Sequence, residues 1–263
     1  MTLLEYGHYC DEVTRQSREL VALTDGADLS ATVPSCPDWT LEQLIRHVGS
    51  SHRMVDTVVR TRAAGPVTDD FSGITDGPQT GGASALVGWL LDSAEQLAET
   101  LREAGPDVEV WTPIPGGTSG LWARRTVHET LVHRADAALA TGRPFTCDPQ
   151  VAVDTIDEWL EILTSPVMAA RNAQLADHGR PGTSIHLHAT DTAPELAAEW
   201  LIELADNGFT WRRAHAKATV AVRAPLADVL QVLLRRLPAD SERAELIGDA
   251  KLLDFWLEHT AFG

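Results

Sequence analysis

Residues 40–59 have the sequence TLEQLIRHVGSSHRMVDTVV, and this stretch predicts one long helix of a helical bundle. Thr40 and Gln43 form a capping-box pattern, which marks the start of a helix. Apolar residues then recur at steps of three and four, as they do in a helix with one buried face. The predicted buried positions are Leu41, Leu44, Ile45, Val48, His52, Val55 and Val59. The imidazole of His52 is therefore expected to point into the bundle, whereas His47, five residues away, is expected to be structural.

A second helix, predicted over about residues 121–141, contains the run HETLVH at 128–133. Successive helical residues turn by about 100°, so Glu129 and His133 share one face. His128 lies about 140° from His133 and is expected to be a bystander. The spacing also differs from the His-Glu-x-x-His pattern of a metalloprotease helix, because position 132 is Val. A protease of that kind is therefore not predicted.

Polar side chains continue along this face of the second helix. The stripe consists of Trp122, Arg125, Glu129, His133, Asp136 and Ala140, with apolar or small residues on both sides. Buried polar groups must be paired or must bind a ligand such as a metal. Asp136 is expected either to orient His133 or to be an ordinary acid on the helix surface.

Two imidazoles and a carboxylate on inward faces are the ligands of a catalytic zinc or similar divalent metal with open coordination positions. His52, Glu129 and His133 are the predicted ligands. The alternative is a hydrogen-bonded core histidine together with an ordinary Glu–His or Arg–Glu pair. A further histidine pair, His186 and His188, shares one face of a predicted strand. Such a pair can bind metal, but a solvent-facing pair is the favoured interpretation.

Composition excludes several classes of function. The chain has 263 residues with 38 acidic and 21 basic side chains, and its net charge of −17 opposes binding to nucleic acid. No apolar stretch is long enough for a membrane span, and the N-terminus shows no secretory signal. The three cysteines are scattered without paired spacing, which indicates a reducing compartment. A cytoplasmic protein without membrane partners is therefore expected.

The pattern of helices and strands predicts an α+β protein of two domains. Helical periodicity dominates the first two thirds and ends with a helix from Asp148 to about Ala170. Alternating patterns then predict strands at 183–189, 199–205, 209–214 and 217–223, followed by helices from Pro225 and from Asp249. The expected domains are a metal-binding helical bundle at 1–175 and a small α+β domain at 180–263, with the boundary near 172–182.

The sequence resembles the mycothiol-dependent maleylpyruvate isomerase family over essentially its full length. The stretches that carry the resemblance are SCPDWTL at 35–41, LIRH at 44–47, His52-Arg53, WARR at 122–125, His128-Glu129, HRAD at 133–136 and IGDA at 247–250. The N-terminal stretches are the more specific ones. The resemblance implies a DinB-like four-helix-type bundle that binds zinc, followed by a small sterol-carrier-like α+β domain. It also assigns the three metal ligands to His52, Glu129 and His133.

The same resemblance implies that mycothiol, the cysteinyl pseudodisaccharide thiol of actinobacteria, is the cosubstrate. Zinc lowers the pKa of a coordinated thiol, and the resulting thiolate attacks an electrophilic carbon of a small substrate. Elimination after rotation about a double bond gives a cis–trans isomerase, whereas a retained adduct gives a thiol S-transferase. The ligands and the fold do not separate these two outcomes.

A dicarboxylate substrate needs cationic anchors, and the resemblance implies an arginine from the C-terminal domain. Arg223 and Arg236 are the candidates there, although each could be an ordinary surface arginine. Arg125, on the polar stripe, is a further candidate that contacts either the substrate or a metal ligand. Two other functions are compatible with the sequence: a metal-dependent hydrolase, and a non-catalytic protein that binds or sequesters a small molecule. The oligomeric state is left open.

Overall fold

The computed structural model describes residues 4–114, 116–166, 168, 180–206 and 208–260. The chain forms two compact units, Met1–Phe145 and Thr146–Gly263. The first unit is a bundle of four long helices, and the second combines helices with a five-stranded sheet. The prediction of an α+β protein with an N-terminal bundle is therefore confirmed. None of the helices in the described parts of the chain is both long and apolar enough to cross a membrane.

The first unit contains α1 (Tyr6–Thr24), a short hairpin of β1 (Thr32–Val33) and β2 (Cys36–Thr40), α2 (Leu41–Thr61), α3 (Gly82–Ala104) and α4 (Ser119–Thr141). Helix α1 packs on α3 and α4, and α2 also packs on α3 and α4. Every position of α2 that was predicted to be buried is buried. The hairpin was not predicted, because its strands are short and its second strand has no fully buried residue.

The start of α2 is fixed by its first residues, as predicted. The Thr40 hydroxyl accepts a hydrogen bond from the backbone N–H of Gln43, and the Gln43 side chain accepts one from the backbone N–H of Thr40. This reciprocal pair satisfies two N–H groups that a helix start leaves without partners. Further along, Gly49 allows α2 to lie against α3, because a Cβ at this position would overlap the ring of Trp89.

The second unit begins with α5 (Pro149–Leu163), whose start is capped by Asp148. Its sheet has the strand order β5-β4-β3-β6-β7. The strands are β3 (Ser184–Ala189), β4 (Glu199–Ala205), β5 (Gly208–Arg213), β6 (Val220–Ala224) and β7 (Glu245–Gly248), with α6 (Leu226–Leu233) and α7 (Ala250–Thr260). Strands β3 and β6 are parallel, and the other neighbouring pairs are antiparallel. Strand β7, only four residues long, was not predicted.

Helix α5 lies in the second compact unit, Thr146–Gly263. The carboxylate of Asp157 on α5 accepts hydrogen bonds from the Trp200 indole N–H at 2.7 Å and from the Arg213 guanidinium at 2.5 and 3.1 Å. These contacts attach α5 to β4 and β5. The α5 helix ends at Leu163, and most of the predicted boundary region, 172–179, lies outside the described residues.

Candidate metal centre

Two helices of the bundle bring together His47 from α2 with Glu129 and His133 from α4. One ligand atom from each of these residues lies within 4.8 Å of the other two. The Nε2 atom of His133 is 3.1 Å from Oε1 of Glu129, and Nε2 of His47 is 3.6 Å from the same oxygen. Since Glu129 and His133 are four residues apart on one helix, the prediction that they share a face is confirmed.

Each histidine has its second ring nitrogen engaged by an acceptor. Nδ1 of His47 is 2.6 Å from the backbone oxygen of Ser72, and Nδ1 of His133 is 2.8 Å from Oδ2 of Asp136. A carbonyl oxygen and a carboxylate only accept, so both Nδ1 atoms donate and both Nε2 atoms are directed to the centre. Asp136 is fixed in turn by a hydrogen bond from the Ser35 hydroxyl. A histidine whose outer nitrogen donates to a carboxylate or carbonyl is the usual arrangement of a metal ligand.

The two oxygen atoms of the Glu129 carboxylate have different neighbours. Its Oε1 atom is the one near the histidines, while Oε2 accepts a hydrogen bond from Arg125 at 2.5 Å. Burial alone would raise the pKa of Glu129. The Arg125 guanidinium and the hydrogen bond from His133 outweigh burial and hold the pKa of this carboxyl well below its usual range. An anionic oxygen is thus maintained beside the two imidazoles.

The protonation state of His133 depends on the same carboxylates. Burial alone would lower its pKa, but hydrogen bonds to Asp136 and Glu129 raise it to about 9. In the metal-free chain this ring is therefore an imidazolium at neutral pH. A metal ion would replace the proton on Nε2, while the bond from Nδ1 to Asp136 would be kept.

The three residues lie at the edge of the bundle. The side chain of Glu129 is 32% exposed, compared with 13% for His47 and 9% for His133. The ring of Trp39, at the end of β2, lies 4.8 Å from the His47 ring and 6.1 Å from the His133 ring. The group is thus partly open to solvent and has an aromatic wall on one side, which suits a site that admits a small molecule.

The structure does not bring the predicted ligand His52 into this group. His52 is 1% exposed, and its Nε2 atom forms a 3.0 Å hydrogen bond with the Thr130 hydroxyl inside the bundle. Burial, with a contribution from nearby His47, lowers its pKa to about 3, so the ring is neutral. Helical periodicity identifies the most deeply buried face of a helix. A histidine that binds a metal within reach of a substrate lies beside that face. Periodicity therefore favours His52, although His47 is the α2 histidine that lies near Glu129.

The remaining residues of the predicted site have separate positions. His128 is buried, with its ring 6.3 Å from the ring of Tyr9 on α1, and it is not a member of the group. Arg125 is part of the site through Glu129. Arg223 and Arg236 belong to the second unit, where Arg223 pairs with Glu245 at 2.8 Å and Arg236 donates to the backbone oxygen of Leu234 at 2.6 Å. A role for these two arginines in binding substrate stays a prediction.

The chain combines a helical bundle with an α+β unit that follows it in sequence, and the bundle has two histidines and a carboxylate at its edge. It therefore belongs to a class of two-domain proteins with a candidate metal centre in the bundle. Residues 10–138 match the model of the mycothiol maleylpyruvate isomerase N-terminal domain, and residues 150–255 match that of the MDMPI C-terminal domain. The chain therefore belongs to the mycothiol-dependent maleylpyruvate isomerase family, as the motifs indicated.

Solved structures with the same fold include the crystal structure of the mycothiol-dependent maleylpyruvate isomerase and that of a histidine-to-alanine mutant. The first is 16% identical, covers 94% of this chain and 95% of that chain, and has a TM-score of 0.57. The second is 14% identical with the same coverage and a TM-score of 0.58. At these identities the likeness shows a shared fold. No curated protein matches the sequence.

Proposed function

We propose that this protein is a metal-dependent enzyme that uses mycothiol as its nucleophile, with the metal held by His47, Glu129 and His133. The observation that carries the proposal is the orientation of the two imidazoles. Each has Nδ1 engaged by an acceptor and Nε2 near Oε1 of Glu129. Membership in the mycothiol-dependent family supports the choice of thiol.

The donor set fits zinc among the divalent metals. Two imidazole nitrogens and one carboxylate oxygen are the ligands of many catalytic zinc sites, which leave a position for an exogenous ligand. When bound, such a metal supplies a Lewis acid that lowers the pKa of a coordinated thiol, so that the thiolate is present at neutral pH. Iron, nickel or manganese also accept imidazole and carboxylate ligands, and metal analysis decides among them.

The chain's own residues orient these ligands and shape the site. Asp136 and the Ser72 carbonyl hold the two imidazole rings, and Arg125 holds the outer oxygen of Glu129. These contacts reduce the reorganisation that metal and substrate binding would otherwise require. Trp39 excludes water from one side of the group, which strengthens electrostatic interactions there.

The proposed substrate is a small electrophile with a conjugated double bond, of the maleylpyruvate type. The thiolate sulfur forms a bond to an alkene carbon while the π electrons move onto the conjugated carbonyl. In an isomerisation, the former double bond rotates and the sulfur–carbon bond breaks as the alkene forms again. In an S-transferase, a proton reaches the carbon instead and the adduct is released. Arg125, with 22% of its side chain exposed, is the proposed contact for a substrate carboxylate at this site.

The test combines metal analysis with turnover. The full chain is purified, its metal content is measured by plasma mass spectrometry, and conversion of maleylpyruvate is followed with and without mycothiol. The Glu129→Ala/His133→Ala double variant should lose one metal equivalent per chain and all thiol-dependent turnover. Turnover that survives in the double variant at the wild-type rate would exclude a role for this centre. A chain that binds mycothiol and metal but converts no electrophile would favour a binding protein.

A further inference from the structure

The second unit contains a compact group of three histidines and one glutamate on its sheet. His186 and His188 lie on β3, Glu199 begins β4, and His215 follows β5. One ligand atom from each of the four residues lies within 4.8 Å of the others. The three imidazole centroids form a nearly equilateral triangle with sides of 5.6, 5.7 and 5.7 Å. The alternation of β3 predicted that His186 and His188 share a face, and their ring contact agrees with this.

All three imidazoles converge on a single oxygen atom. Oε2 of Glu199 is 2.9 Å from Nε2 of His186, 2.9 Å from Nδ1 of His188 and 2.6 Å from Nδ1 of His215. The His215 contact is a hydrogen bond. One carboxylate oxygen has two lone pairs, so it cannot accept good hydrogen bonds from three nitrogens at once.

His186 is the group's unsatisfied member. The residue is 5% exposed, and its Nε2 atom is buried without a hydrogen-bond partner among the described residues, despite its distance from Glu199. The expectation that this histidine faces solvent is therefore wrong. A buried polar atom that lacks a partner is costly, unless it serves a ligand that supplies the missing interaction.

We propose that His186, His188, His215 and Glu199 form a second metal site, which binds a divalent ion of the zinc class. Three imidazole nitrogens and one carboxylate oxygen are a complete tetrahedral ligand set for such an ion. In a tetrahedron with metal–ligand bonds of about 2.0–2.1 Å, the ligand atoms are about 3.3 Å apart. The three nitrogens lie 2.6–2.9 Å from the oxygen and within 4.8 Å of one another, so the ligand atoms reach this spacing by small shifts of the side chains. The ion would give each nitrogen its own partner, which the single oxygen cannot.

The charges around the group favour a cation. Glu199 contributes one carboxylate to the group, and its Oε2 atom accepts the hydrogen bond from His215. Arg223 lies opposite His188 on β6, and its charge is compensated by Glu245.

The proposed site is structural rather than catalytic. With four protein ligands, the ion keeps no open coordination position for a substrate. Its ligands come from β3, from the first residue of β4 and from the segment after β5, so it would cross-link three strands of the sheet. A site of this kind stabilises the folded chain in proportion to its affinity for the metal. It is independent of the proposed function, since none of its residues belongs to the centre in the bundle.

The test counts zinc in matched variants of the full chain. Each protein is equilibrated with Zn²⁺, desalted, and analysed by plasma mass spectrometry. Wild type should retain two equivalents, and His188→Ala/His215→Ala should retain one. Glu129→Ala/His133→Ala should also retain one, and the variant with all four changes should retain none. His8→Ala is the matched control, because it removes an exposed histidine that also lies beside a glutamate, and it should retain two.

A second experiment separates loss of the metal site from loss of the fold. It uses His215→Ala alone, which should leave the fold intact because the side chain of His215 is 76% exposed. In the Glu129→Ala/His133→Ala background, Zn²⁺ should raise the melting temperature, and adding His215→Ala should remove most of that rise. With Co²⁺ as probe, the same background should give the strong visible absorption of a four-coordinate ion. Equal zinc in the His188→Ala/His215→Ala variant and wild type would overturn the proposal, as would zinc lost from this site on desalting.

Discussion

At the residue scale, the suitability of a histidine as a metal ligand depends on the partners of both ring nitrogens, and not only on the nitrogen that faces the site. His47 and His133 each donate from Nδ1 to a fixed acceptor, which selects the tautomer and the ring orientation. His52 has a different environment, because its Nε2 atom is used by Thr130 inside the bundle. Two histidines five residues apart on one helix therefore have different chemistry, and the difference arises from their neighbours.

The first prediction separates these two histidines. His47→Ala should remove one metal equivalent per chain, as should Glu129→Ala and His133→Ala, because each removes one of the proposed ligands. His52→Ala and His128→Ala should retain that metal. Plasma mass spectrometry of the desalted proteins measures the difference. Metal loss in the His52 variant together with retention in the His47 variant would restore the ligand set that the sequence predicted.

The second prediction concerns Asp136, whose carboxylate orients His133. Asp136→Asn keeps the size of the side chain but weakens its hold on the imidazole. Removing such a partner typically costs about 10- to 100-fold in metal affinity. Competition with a chromophoric chelator measures this loss. Asp56→Asn is the control, because Asp56 is a buried carboxylate on α2 that bonds Thr100 and Gln96 instead of a histidine. An equal loss of affinity in both variants would contradict a specific role for Asp136.

The third prediction follows from the raised pKa of His133 in the metal-free chain. Its pKa of about 9 exceeds the ordinary value of 6.5, so the folded chain holds this proton more tightly than the unfolded chain does. The resulting stability is fully present below pH 6.5 and is lost as the pH rises through 9. Urea unfolding of metal-free protein between pH 6 and 9.5 should show this decline. The decline should be smaller in His133→Gln, and an identical decline in both proteins would contradict the assignment.

At the element scale, helix α2 links the core of the bundle to the candidate metal centre. Its apolar stripe fixes the helix in the bundle, and its capping box fixes where the helix begins, six residues before His47. Both features follow from local spacing and were predictable from the sequence. The choice of His47 over His52 was not predictable, because residue spacing gives only the relative directions of side chains on the same helix. Which edge of the stripe meets Glu129 depends on how α2 crosses α4.

The fourth prediction tests the cap of α2. Thr40→Ala removes the hydroxyl that accepts from the Gln43 N–H and should destabilise the chain by about 1 kcal/mol. Thr118→Ala is a matched control, since Thr118 is the residue before α4 but forms no side-chain capping bond. Urea unfolding monitored by circular dichroism compares the two variants. Equal destabilisation by both would show that the capping bond does not contribute.

At the scale of the whole molecule, the first compact unit ends at Phe145, before α5. The change from helical to strand periodicity in the sequence comes only after α5. Helical periodicity continues through α5, and for this reason the sequence placed that helix with the bundle. Asp157 binds Trp200 and Arg213, which lie more than forty residues later in the chain, and these contacts assign α5 to the sheet unit. No local pattern in α5 indicates such distant partners. The resemblance to a known family predicted two domains, but it did not supply their boundary.

The last prediction tests this division. Asp157→Ala leaves the Trp200 N–H and the Arg213 guanidinium without their shared acceptor, and breaking a buried charged pair of this kind costs about 3–5 kcal/mol. Hydrogen exchange should therefore show weaker protection in β4 and β5, while α2 and α4 keep theirs. Glu203→Ala is the control, because Glu203 pairs with Arg212 across the same two strands but on the exposed surface, where such pairs contribute about 0–1 kcal/mol. If protection fell in α2 and α4 while β4 and β5 were unchanged, α5 would belong energetically to the bundle, as its sequence alone suggests.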